Sequence, residues 1–140
     1  MRLERVVAAD RERLWRYVGD LDRWHELLPT VDSVTRTGPP GPIGVGTRVR
    51  VAQPRLATAE YVVTAWDPPA GFTWEATVRG VRTTASHELH ATGTGTRLVL
   101  GLEWSGPAAW LARLLYSRLT RSYLEQEAAA FAAHATGRGA

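Results

Sequence analysis

The stretch GFTWEATVRGVRTTASHELHATGTGTRLVLGLEW, residues 71–104, alternates apolar and polar side chains in three runs parted by glycine-bearing turns. A period of two is the signature of a strand with one covered face, because successive side chains point to opposite sides. Phe72, Trp74, Ala76 and Val78 share one side, with Glu75 and Arg79 on the other. Ala85, His87 and Leu89 share the same parity in the next run, and Leu98, Leu100, Leu102 and Trp104 in the last. The links at Gly80 and at Thr92-Gly93-Thr94-Gly95 are too short for a crossover, so the three runs form an antiparallel meander.

The same alternation reaches back to Val31. It predicts strands near 31–37, 46–53, 58–66, 71–79, 82–91 and 96–104, with Gly38-Pro39-Pro40-Gly41-Pro42 an irregular loop because neither helix nor ladder tolerates that proline density. Upstream lies an opening strand over 3–8, then Asp10 as N-cap of a helix carrying Leu14, Trp15 and Val18 on one stripe. Gly19-Asp20 interrupts it. A second short helix over 21–28 carries Leu21, Trp24, Leu27 and Leu28 and stops at Pro29. Downstream, Gly106-Pro107 opens a helix to about Ala135. In its second half Leu124, Ala128, Phe131 and Ala135 line one face, as on a helix laid against a sheet. In its first half Leu111, Leu115 and Leu119, flanked by Trp110, Leu114, Tyr116 and Tyr123, lie largely on a different side. Either the helix breaks near Ser117 to Ser122, or its first half covers apolar surface other than the main core.

Composition narrows the function. The 140 residues contain no stretch dividing them into two comparable parts, so one domain over 1–140 is expected. Cysteine, lysine and asparagine are absent, which excludes disulfides, thiolate metal sites, Schiff-base chemistry and asparagine oxyanion donors. The net charge is +3, all 17 basic residues are arginine, and they are scattered among acids, so no nucleic-acid partner is expected. No apolar run approaches the roughly 20 residues of a membrane span, and the N-terminus lacks the order of a signal peptide, so a cytoplasmic location is expected. His87 and His90 fall on opposite faces while His25 and His134 lie on distant elements, so no metal site is expected and no cofactor is implied.

The inward-facing set holds large aromatics beside small residues, with a few polar tips. Such a lining suits an apolar ligand pocket, and a filled core with satisfied Tyr and His tips is the alternative. The candidate ligand-binding residues are Trp24 and Leu27 from the short helix, with Val49, Val51, Gln53 and Arg55 from the third strand and its turn. The central strands add Val63, Trp74, Ala76, Arg82, Thr83 and Leu89; the last strand and the helix add Leu100, Trp104, Leu114 and Leu124.

Leu14-Trp15, then Asp20, Trp24 and Pro29, then Gly44-Val45-Gly46-Thr47-Arg48, then Trp66-Asp67-Pro68-Pro69 with Phe72 and Trp74, then Gly95-Thr96, follow in this order. The pattern, from Val6 to about His134, resembles the SRPBCC superfamily, also called START-like or Bet v 1-like, and within it the polyketide cyclase/dehydrase group. The resemblance implies an α+β helix-grip fold: a seven-stranded curved antiparallel sheet wrapped around a long C-terminal helix, with two short helices after the first strand, enclosing a hydrophobic cavity. Relatives often carry a second tryptophan where this chain has Leu27, at the pocket entrance.

The expectation is therefore a protein that binds a hydrophobic small molecule, as a cofactor-independent cyclase or dehydratase of a polyketide-type intermediate. His87 would be its acid/base, Tyr61 would polarise a carbonyl, and Arg55 or Arg82 would bind a carboxylate or phosphate at the mouth. The alternative is a non-catalytic carrier of a lipid, quinone or pigment. A third reading uses the shifted stripe of the last helix as an interaction surface; the chain is a monomer or a homodimer.

Overall fold

Strand β1 (Arg2–Val7) leads into helix α1 (Arg11–Val18), which Asp10 caps by accepting the Arg13 amide at 2.8 Å. The computed structural model describes residues 1–137. Leu14 and Val18 are the buried residues of α1. The helix expected over 21–28 is shorter than its pattern suggests: a 3-10 turn (Leu21–Arg23) runs into a single turn, α2 (Trp24–Leu27). Pro29 forces Leu28 into extended backbone, so the helix has no room to continue.

Strands β2 (Ser33–Arg36), β3 (Arg48–Ala52), β4 (Ala59–Asp67), β5 (Gly71–Val78), β6 (Val81–Ala91) and β7 (Thr96–Ser105) follow. With β1 they form one antiparallel seven-stranded sheet in the order β1-β7-β6-β5-β4-β3-β2. The register of β4 on β5 shifts between Val63 and Ala65, a bulge of the kind that adds curvature. The β5–β6 link is a two-residue turn with Arg79 and Gly80 both left-handed, at φ 50° and 79°, which matches the twist of the strands it joins. Gly71 has φ 148°, and a Cβ there would stand 2.0 Å from the His87 carbonyl oxygen, so only glycine permits β6 to pass this close.

Helix α3 (Ala109–Ala135) is unbroken through Ser117 to Ser122, so its two stripes belong to one rod. The second half buries Leu124, Ala128, Phe131, Ala132 and Ala135 against the sheet, together with Leu14 of α1. The first half leaves Trp110, Leu111, Leu114, Leu115 and Tyr116 exposed. One end of the concave face is thus filled by short helices and the end of α3, and the other is covered only by the beginning of α3.

Candidate functional site

That second end is hollow. A cavity of about 340 Å³ lies between the sheet and the first half of α3, within the roughly 300–1,000 Å³ usual for small-molecule pockets. Its walls come from the end of β3, the start of β4, the end of β5, the start of β6 and the end of β7. Of the expected residues, Trp24, Val51, Gln53, Tyr61, Trp74 and Thr83 line it, as do His87, Trp104 and Leu124.

The other expected residues sit elsewhere, because a period of two identifies a face and not which end of it is filled. Leu27, Val49, Val63, Leu89 and Leu100 are buried in the packed half of the core. Ala76 is buried without reaching the hollow, and Leu114 is exposed on the outer side of α3. Arg82 points to solvent and approaches Glu75 at 3.9 Å, across the sheet from the cavity. Arg55 is exposed in the turn after Pro54, with φ 66°, and does not reach the lining.

Trp24 forms the partition between the two halves. Its ring centroid lies 5.7 Å from Phe131 and 5.9 Å from Phe72 on the packed side, and 5.1 Å from Trp74 toward the hollow. Its indole N–H donates to the Val18 carbonyl at 3.2 Å, which satisfies the one polar atom of a buried ring. Tyr61 stacks on Trp74 at 4.7 Å.

Burial shifts three of the titratable groups that line the cavity. His87 stacks on Phe72 at 4.2 Å and is buried, with Nδ1 sealed from solvent and without a hydrogen-bond partner. Desolvation lowers its pKa to about 4, only partly offset by the Phe72 backbone, so the ring is neutral near pH 7. Glu127, on the inner face of α3, is buried and accepts a 3.2 Å hydrogen bond from the Thr30 hydroxyl. Burial raises its pKa to about 7, against the opposing pull of Thr30. Tyr61 is pushed up to about 12, by burial first and then by the charge of Glu127, so it remains a phenol and a donor.

The sequence reading missed Glu127 and Thr30, and also Arg79, Thr120 and Tyr123, which join the lining. Tyr123 donates its hydroxyl to the Pro54 carbonyl and so ties α3 to the turn after β3. Among the described residues no three His, Asp or Glu side chains come together as a metal site.

Comparison with known proteins agrees with this architecture. The chain has structural likeness to the di-domain ARO/CYC StfQ from the steffimycin biosynthetic pathway, at 14% identity and TM-score 0.76, covering 99% of this chain and 50% of that one. The chain thus spans about half the length of that relative. It is also similar to the Zhui aromatase/cyclase from Streptomyces sp. R1128, at 16% identity and TM-score 0.80, covering 99% and 93%. Ara h 8.0201 matches at 13% identity and TM-score 0.72, covering 98% and 97%. At such identities the likeness is one of fold. No curated protein sequence matches the chain. The model of one family, described as polyketide cyclase / dehydrase and lipid transport, matches residues 1–136. The chain therefore belongs to the polyketide cyclase/dehydrase and lipid transport family of the SRPBCC superfamily.

Proposed function

We propose that residues 1–140 act as one ligand-binding domain that takes a hydrophobic, carbonyl-bearing molecule into the cavity and promotes its cyclisation or dehydration without a cofactor. The observation that carries this reading is Glu127: a carboxyl group in the wall of an apolar cavity, held near pH 7 and close enough to Tyr61 to perturb it. A pKa near the working pH is what an acid/base catalyst needs, and strongly shifted groups in clefts gather at functional sites.

In the reaction we envisage, the Tyr61 hydroxyl donates to a ketone oxygen and the Glu127 carboxylate removes a proton from the adjacent methylene. The resulting enolate carbon attacks a second carbonyl of the same molecule, forming a carbon–carbon bond. The new alkoxide takes its proton back from Glu127. Glu127 then removes a proton from the carbon next to the new hydroxyl and delivers it to that hydroxyl as the C–O bond breaks, so that water leaves and a carbon–carbon double bond remains. His87 is too weak a base to share the proton and serves as a neutral wall of the site. The family description and the aromatase/cyclase names of two structural relatives support the same reaction class.

The test is turnover of a synthetic poly-β-ketone thioester. Glu127→Gln is expected to lower the rate about a hundredfold and Tyr61→Phe roughly tenfold, and the parent rate should rise as pH passes through about 7. Equal rates in Glu127→Gln and the parent, or a parent no faster than buffer, would remove the enzymatic reading. The carrier reading draws on the apolar lining and the open mouth beside α3. Native mass spectrometry of the protein from its host would then find an unchanged lipid bound in one-to-one ratio.

A further inference from the structure

The first half of α3 carries an apolar surface on its outer side. Trp110 is 62% exposed, Leu114 72% and Leu115 59%, high values for side chains of this size. Trp110, Leu114 and Arg118 follow at intervals of four, and Leu111 and Leu115 lie beside them, so the five form one stripe on the helix. Arg121 continues the stripe one turn beyond, where it pairs with Glu125 at 3.6 Å. The first acid of the helix is Glu125, so three arginines, Arg113, Arg118 and Arg121, precede any carboxylate on it.

This arrangement is asymmetric along the rod: large apolar side chains at the start, guanidinium groups one to two turns later. An aromatic and aliphatic tip followed by arginines is how a helix lies in the boundary between acyl chains and phosphate headgroups. The stripe also runs into the cavity. Leu111, Leu115 and Tyr116 are at once exposed and part of the lining, and exposed Arg79 of the β5–β6 turn stands at the same mouth.

We propose that the outer face of the first half of α3 docks on the surface of an anionic lipid bilayer, with the cavity mouth turned toward it. Charge selects this partner over a second copy of the chain: from Trp110 to Arg118 the stripe offers no carboxylate to a partner's arginines, and the one acid beyond it, Glu125, already pairs with Arg121, whereas lipid phosphates are free to meet Arg118. Docking stands independently of what the cavity does to its guest. That the bilayer is the guest's source rests on the reading of the cavity given above, and assigns the guest to molecules that partition into membranes.

The experiment is co-sedimentation with vesicles of equimolar phosphatidylcholine and phosphatidylglycerol, beside vesicles of phosphatidylcholine alone. The parent is expected to bind the anionic vesicles, more weakly as salt is raised, and to bind neutral ones far less. Arg118→Glu should lower binding roughly tenfold, and the double variant Trp110→Ser/Leu114→Ser by at least about tenfold, with unchanged melting temperatures because all three side chains face solvent. Glu127→Gln, altered only in the cavity, should dock like the parent, which separates failure of docking from failure of the proposed chemistry. Absence of binding to anionic vesicles, or equal binding by the parent and the double variant, overturns the proposal. So does a parent that sediments as a stable dimer which the double variant dissociates.

Discussion

At about pH 8 the Glu127→Gln variant is expected to be more stable than the parent by about 3 kcal/mol, an advantage that vanishes below about pH 4. The carboxyl has a pKa of about 7 in the fold against 4.5 in the open chain, so the folded protein holds a proton that the unfolded chain gives up between those values. Stability must then fall as pH rises through that window. Glutamine keeps an acceptor for Thr30 and has no charge to bury, so it escapes the loss. His87 imposes the opposite slope. Its pKa is about 4 in the fold and 6.5 outside, so the unfolded chain binds the extra proton, and about 3 kcal/mol of stability present above pH 6.5 is lost on acidification. Between about pH 4.5 and 6.5 the two slopes offset each other. The parent should be nearly flat there as far as this pair is concerned, and Glu127→Gln should expose the rise due to His87. Denaturant titrations across the pH range measure this. A stability difference between the two proteins that stays constant with pH would show that Glu127 titrates as in free solution.

Trp24→Ala is expected to cost about 3–5 kcal/mol, as for other large buried aromatics. The ring is 2% exposed and touches Phe72, Trp74, His87 and Phe131, and none of these neighbours can advance into the space without leaving its own contacts. Because one side of the ring already faces a hollow, its removal should join that hollow to the new void. The variant should therefore bind a bulkier apolar probe than the parent does even as its denaturation midpoint drops. A loss under about 1 kcal/mol would mean that the two halves of the interior close on each other, contrary to the partition described.

Much of the fold was legible because its signals are local. The period of two in residues 71–104, the short turns, the Asp10 cap and Pro29 each act within a few residues, and the strands they imply agree with those observed to within about two residues. The site was only half legible. Parity correctly grouped Trp74, His87 and Trp104 with Leu100 and Leu89 on one face, yet only the first three meet the cavity, since α1, α2 and the end of α3 fill the other end. Packing of that kind depends on pairings distant in sequence. Glu127, by contrast, left a readable signal. It lies three residues after Leu124 and four before Phe131, on the inward stripe, and an acid on such a stripe marks either an ion pair or a site. The shifted apolar stripe was also visible, and an unbroken helix was needed to show that it faces outward.

The position of β1 beside β7 governs the order in which the molecule assembles. Each of the other ladders joins strands that are neighbours along the chain, whereas Arg2 meets Gly101 and Val7 meets Thr96 only after nearly the whole polypeptide has been brought round. Closing so long a loop carries an entropic cost that hairpins escape, so the meander is expected to zip first and the N-terminal strand to arrive after the rate-limiting barrier. Val7→Ala should then accelerate unfolding and leave the refolding rate almost untouched, a kinetic signature that stopped-flow chevrons resolve. A slowed refolding limb would instead assign the N-terminal strand to the nucleus.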